Sequence, residues 1–249
     1  MDFEHVKAVF EEYLNGYDRE NDKVKLKIVH TYGVIRCSEE IGRRMGLQAE
    51  DMELAKLIAL LHDIGRFEQL KRFNSFEADT MDHATYGVKV LFEEGMIRQF
   101  IEEDTWDDVI RTAIAKHSDY ELTGITDERT LLHARLIRDA DKLDNCRVKL
   151  EDAMETLLDL SADEVGKYAI SPKVREDAFA GKCICSKDRR TPMDYWVSYV
   201  AYFYDLNFQE TLDIVAEEQY VKRIIGRVPY TNEQTKKTME ELVSFQGNG

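Results

Sequence analysis

Proline is nearly absent, with three in 249 residues. That scarcity removes the commonest breaker of helices and argues against a loop-rich or sandwich-like fold. No segment alternates apolar and polar residues at a period of two, so no strand is expected, and no internal repeat is visible. Long apolar runs are missing too. None approaches the roughly 20 residues that a bilayer-spanning helix needs. The first residues, Met1-Asp2-Phe3-Glu4-His5, have neither a basic nor an apolar stretch, so a secretory signal is not expected and the default location is cytoplasmic. Positive charge is in deficit. The formal charge of -15 argues against binding a nucleic-acid polymer, whose phosphates need cations. A small anionic substrate stays compatible, because a local pocket with metal ions can outweigh the global field. Cysteine is scarce as well. Cys37 and Cys146 read as buried small hydrophobes, while Cys183 and Cys185 stand too close for an easy disulfide and lack a second pair for zinc.

What the sequence does have is helix-forming segments rich in Leu, Ala, Glu and Lys, and the expectation is an all-α protein. Helices are predicted over residues 2–15, 22–45, 49–64, 82–94, 104–118, 127–144 and 146–160. The second uses Leu26, Ile28-Val29, Val34-Ile35, Cys37 and Ile41 as its apolar positions and stops at Gly46. Residues 66–81 read as a loop carrying Arg66, Lys71 and Arg72. Residues 161–192 hold two of the prolines and read as a loop, a short helix or a lid. The aromatic run Tyr195, Trp196, Tyr199, Tyr202, Phe203 and Phe208 reads first as core packing and second as a stacking wall for a base or sugar. Residues 246–249 are expected to fray. The domain division expected is a metal-binding core over 1–160 and a helical extension over 161–249 packed on it.

The stretch Leu57-Ile58-Ala59-Leu60-Leu61-His62-Asp63-Ile64-Gly65 stands out. An apolar run buried on most sides ends in an imidazole and a carboxylate, where Gly65 can end or loosen the helix. Buried polar groups need partners, and a divalent metal satisfies both. Neighbouring helical residues point about 100° apart, so the pair can flank one ion or touch two but cannot enclose one. Further donors lie on other predicted helices near apolar faces: His30, His83, His117 and Asp141, with Asp139 as the alternative to Asp141. His83 shares a face with Gly87, where a neighbouring backbone can come close, and Gly33 follows His30 for the same reason. His5 and His133 read as surface or structural.

This arrangement closely resembles the HD-domain superfamily of metal-dependent phosphohydrolases. The order H…HD…D appears here as His30, His62-Asp63 and Asp141, and His62-Asp63-Ile64-Gly65 matches the HDIG form. His83 and His117 resemble the branch with a second metal, H…HD…H…H…D. The resemblance covers roughly residues 22–145 and implies an HD helical bundle with additional C-terminal helices. It implies one ion held by His30, His62, Asp63 and Asp141, and a second held by His83 and His117 with Asp63 bridging. Fe, Mn, Co, Ni or Zn suit such ligands, with Mg as a further option, in one or two copies. The implied activity is hydrolysis of a phosphate ester of a nucleotide or other small phosphorylated metabolite by metal-activated water. Asp63, Arg66 and Lys142 are its candidate catalytic residues; Arg72 and Lys116 are weaker candidates. The alternatives are an HD-type di-iron oxygenase and a non-catalytic ligand-binding or signalling module. No GYP extension follows the core, which weakens a cyclic-dinucleotide reading. No polymer or membrane partner is expected, and the oligomeric state is open.

Overall fold

The computed structural model describes residues 1–77 and 79–246, with backbone only for Phe245 and Gln246. Among the described residues there is no strand, and the fold is all-α with extra helices after the region that resembles the HD core. The chain divides into two compact units, Met1–Asp144 and Asn145–Gly249.

The first unit is built around α2 (Asp22–Met45) and α3 (Ala49–Leu61), which pack on each other. The Asn21 side chain accepts from the amides of Lys23 and Val24 and starts α2, and Gly46 ends it in the left-handed region at φ 71°. α3 is buried along its whole second half, from Leu57 to Leu61. Each leucine so buried contributes roughly 1.5–3 kcal/mol, and this fixes the end of α3 deep inside the unit. The expected helix over 49–64 is shorter than predicted. It ends at Leu61, His62 is its cap, and Asp63 at φ -104° and ψ 17° re-aims the chain into α4 (Ile64–Phe73).

α4 corrects the loop expected over 66–81. Ile64, Phe67 and Leu70 form a buried stripe at helical spacing, and the cations between them masked it. The described residues between Asn74 and His83 are irregular. Gly65 therefore does not stop a helix; it sits in the first turn of α4. A Cβ there would lie 2.1 Å from the His83 carbonyl oxygen, so α5 (His83–Val88) crosses α4 in direct backbone contact. α1 (Phe3–Leu14) secures the same corner, because Tyr13 Oη donates to the Ile64 carbonyl at 2.9 Å. A π-helical turn over Lys89–Glu93 continues α5, followed by α6 (Ile97–Phe100) and α7 (Asp107–Lys116), which packs against α5.

The breaks expected near 145 and 160 differ from those observed. One helix, α8 (Glu128–Glu151), runs through residue 145, since neither Gly nor Pro stands there to interrupt it. Three side chains taken as apolar core positions of α2 are not in the core: Val29 is exposed, and Ile28 and Cys37 are half-buried, beside an inward stripe that is already filled. Cys146 is buried, and no disulfide links the four cysteines.

The second unit holds α9 (Met154–Leu158), α10 (Ala162–Val165), α11 (Pro172–Phe179), α12 (Pro192–Val200), α13 (Gln209–Glu217), α14 (Tyr220–Ile225) and α15 (Glu233–Gln246). Its core gathers Trp196, Val174, Met193, Val197, Ile224 and Met239, and Tyr199 and Phe203 pack against it. The aromatic run is thus core at Trp196, Tyr199 and Phe203. Of residues 246–249, where fraying is expected, Gln246 ends α15 and 247–249 lie outside the described residues. Among the described residues no helix is long and apolar enough to cross a membrane.

Candidate metal centre

Five helices and the α3–α4 turn bring the expected donors together. His30 comes from α2, His62 from the end of α3, Asp63 from the α3–α4 turn, and His83 from the start of α5. His117 caps α7, and Asp141 comes from α8. Their donor atoms form two groups, His30 with His62 and Asp141, and Asp63 with His83 and His117. Within each group the atoms lie within 4.8 Å of one another. His30, His62, Asp63, His83 and His117 are buried. The Asp141 side chain is 24% exposed, which marks the side on which solvent reaches the cluster. Asp139 is buried and belongs to neither group.

Asp63 stands between the groups. Its Oδ1 lies 3.2 Å from His83 Nε2 and 3.6 Å from His117 Nε2. Its Oδ2 lies 3.5 Å from His62 Nε2 and 4.0 Å from His30 Nε2. The second group closes on itself through His83 Nε2 and His117 Nε2, 3.1 Å apart. The first closes through Asp141 Oδ1, 3.0 Å from His30 Nε2 and 3.8 Å from His62 Nε2.

The ring orientations are set from behind. His62 Nδ1 donates to the Ala59 carbonyl at 2.8 Å, and His117 Nδ1 donates to the Ile114 carbonyl at 2.7 Å. Each ring in its neutral form therefore directs the Nε2 lone pair toward the carboxylates. His62 Nε2 is buried and has no hydrogen-bond partner. A lone pair aimed at carboxylate oxygens is repulsive unless a cation lies between them, so this orphaned atom is what a metal ligand needs. Mixed imidazole and carboxylate donors fit one or two divalent ions of the Fe, Mn, Co, Ni or Zn kind.

Burial alone would push the His62 imidazole down, but the Asp63 and Asp141 carboxylates outweigh it and hold it above its ordinary value, so they favour positive charge at this ring, on a proton or on an ion in its place. Burial, with the Arg66 charge adding to it, pushes His83 down to about 3, so this ring is neutral at pH 7 and offers a lone pair. Burial also raises Asp63, yet Lys27 and the surrounding imidazoles hold its carboxyl well below the usual carboxylate range. The centre is thus an ionised carboxylate ringed by nitrogen donors.

Asp144, Lys27 and Arg138 support the centre but carried no signal strong enough to single out from sequence. Asp144 Oδ2 accepts from His30 Nδ1 at 2.8 Å and so turns Nε2 toward the cluster. Gly33 makes room for it, since a Cβ there would meet Asp144 Oδ1 at 1.9 Å. The spacing of Asp144 from Asp141, and of Gly33 from His30, was visible, but only the packing of α2 on α8 shows that they meet. Lys27, one turn before His30, places Nζ 2.6 Å from Asp63 Oδ2. Buried Arg138 donates to the His117 carbonyl at 3.2 Å and the Asp119 carbonyl at 2.5 Å, fixing the end of α7.

Of the expected cations, Arg66 faces the centre, with Nη2 2.9 Å from His83 Nε2 and Nε 3.7 Å from Asp63 Oδ1. Lys142 is half-buried on α8 next to Asp141. Arg72 is exposed on α4 rather than in a loop and pairs with Glu68 at 2.6 Å, and Lys116 reaches Asp119 at 3.4 Å. His133 is buried against Asp51 at 3.0 Å, and His5 is exposed.

The model of the HD domain family matches residues 28–146. These residues are an HD domain. No curated protein and no solved structure gives a match. The HD domain here carries its His and Asp residues in the clusters described above, and it is a catalytic domain of the metal-dependent phosphohydrolase type.

Proposed function

We propose that this HD domain hydrolyses a phosphate ester of a nucleotide or another small phosphorylated metabolite, in the cytoplasm. In this reading His30, His62, Asp63 and Asp141 hold one divalent ion. His83 and His117 hold a second, with Asp63 shared. The observation that carries the reading is the placement of Asp63, whose two oxygens face two separate donor groups. Ions held there supply Lewis acidity, which acidifies a bound water and offsets charge on the phosphoryl oxygens.

The chain's own residues do the rest. Asp63 sets the spacing of the two donor groups. Asp144 holds the His30 ring in the tautomer that presents Nε2. Arg66, half-buried beside Asp63, supplies positive charge to the phosphoryl oxygens, and Lys142 at the more exposed Asp141 side does the same. The acidic surface disfavours a polymeric phosphate, so the substrate is a small one.

The test is a panel of phosphate monoesters and nucleotides against protein reconstituted with Mn or Fe, with phosphate release and oxygen uptake followed together. Phosphate release without oxygen uptake is the expected result. Iron-dependent oxygen uptake with no phosphate released would replace this reading with the di-iron oxygenase.

A further inference from the structure

Lys27 lies three residues before His30 on α2, on the same buried face. Its side chain is 11% exposed, and its Nζ lies 2.6 Å from Asp63 Oδ2. Arg66 approaches the other oxygen, with Nε 3.7 Å from Asp63 Oδ1, while its Nη2 donates to His83 Nε2 at 2.9 Å. Asp63 is therefore held by a cation on each side.

The two contacts differ in chemistry. A carboxylate oxygen has two lone pairs, so Asp63 Oδ2 can accept from Lys27 and still ligate an ion. An imidazole Nε2 has one, so His83 Nε2 serves either the Arg66 N–H or a metal, not both. A divalent ion on this donor set displaces Arg66 from His83 and competes with Lys27 for the charge of Asp63. A displaced cation in a buried site needs another anion, because an unpaired buried charge is strongly disfavoured. Both side chains lie beside the same residue. Arg66 Nη1 donates to the Phe76 carbonyl at 3.3 Å, and Lys27 Nζ stands 5.9 Å from the Phe76 ring centre. They can therefore bracket one group between them.

We propose that Lys27 is a phosphoryl-binding residue: when a divalent ion takes the His83 lone pair and shares the charge of Asp63, Arg66 turns from His83, and Lys27 turns its other N–H groups, to the substrate's phosphoryl oxygens. The identity of the anion rests on the phosphohydrolase reading. The consequence is positive coupling: metal raises the affinity for phosphate, and phosphate raises the affinity for metal by the same factor. A Lys27 that merely buttresses Asp63 has the opposite signature, since its loss weakens metal binding and leaves the phosphate affinity of the loaded site alone.

The experiment uses the full chain with Lys27→Met, Lys27→Gln and Lys27→Arg. Mn2+ is titrated by calorimetry first, and inorganic phosphate is then titrated into the Mn-loaded proteins; circular dichroism checks the fold. Lys27→Gln keeps a hydrogen bond to Asp63 without the charge, so it serves if Lys27→Met does not fold. For the neutral variants the expected result is unchanged Mn2+ stoichiometry, Mn2+ affinity equal to or tighter than wild type, and phosphate affinity at least tenfold weaker. Lys27→Arg recovers most of that phosphate affinity. Weaker Mn2+ binding by Lys27→Gln, or phosphate affinity unchanged on its loaded site, overturns the proposal. Wild-type protein that binds phosphate through Lys27 yet releases none from any ester overturns the phosphohydrolase reading instead and leaves Lys27 in place. Ester hydrolysis with phosphate binding indifferent to Lys27 does the reverse.

Discussion

Each of the two units buries an aspartate, and the two are satisfied in opposite ways. In the C-terminal unit Asp194 is fully buried within the first turn of α12. It accepts from Ser171 N at 2.8 Å, Ser171 Oγ at 2.6 Å, Arg190 N at 2.8 Å and Thr191 N at 3.0 Å. Three of those donors are backbone amides that have nowhere else to go, so the carboxylate is spent on closing loops. In the N-terminal unit Asp63 is as deeply buried, but what faces it is side chains: four imidazoles, Lys27 and Arg66. Backbone donors are fixed and serve structure. Imidazoles and side-chain cations can exchange partners, so an ion can take the place beside this carboxylate. The difference separates a structural carboxylate from a ligand even though burial alone does not.

The sharpest way to break this comparison is to remove both carboxylates in turn. Asp63→Ala is expected to abolish metal binding and lower activity about 10³-fold or more while helicity survives, as for a group central to charge stabilisation. Asp194→Ala should leave metal content unchanged and lower stability by about 3 kcal/mol, because buried amides lose their acceptor. Metal analysis and denaturant unfolding on both proteins check this; loss of metal from Asp194→Ala would erase the distinction.

His83→Ala divides the centre itself. Metal content is expected to fall from two ions to one, with most of the activity lost, and the ion at His30, His62, Asp63 and Asp141 retained. One ion per chain in both wild type and variant, after reconstitution with Mn or Fe, would refute two separate sites.

Gly33→Ala probes the support behind His30. A Cβ at 1.9 Å from Asp144 Oδ1 must push the carboxylate off the His30 ring. Metal affinity should fall about 10- to 100-fold, the usual effect of losing such a partner. Titration with Mn2+ measures it, and unchanged affinity would show that Asp144 does not orient His30. The smallest effect is expected at Arg72, an exposed cation paired with Glu68 on α4. Arg72→Ala should change stability by less than about 1 kcal/mol and leave metal content and phosphate release unchanged. An activity loss there would extend the site beyond Arg66.

The donors were legible because their chemistry stands out against their surroundings. His62-Asp63 ends an apolar run, and His30, His83 and His117 sit behind apolar stripes where a polar ring needs a reason. Helical periodicity likewise placed α2 at residues 22–45, the span observed, because Asn21 and Gly46 mark its ends. α4 was hidden because three cations interrupt a stripe only ten residues long. Lys27 was hidden because a lysine on a helix is ordinarily solvated, and nothing local shows that this one reaches an aspartate 36 positions later.

The sequence by itself determined the all-helical class and the set of histidines and aspartates on inward faces. It determined them because periodicity, capping and side-chain chemistry act within a few residues. The tertiary structure alone decided how those donors divide into two groups and that Asp63 stands between them. It also decided that Asp141 joins the first group where Asp139 does not, and which cations face the centre. Those outcomes depend on where α2, α4, α5, α7 and α8 cross. The crossings are set by close approaches, such as Gly33 beneath Asp144 and Gly65 beneath the His83 carbonyl, between residues far apart in the chain.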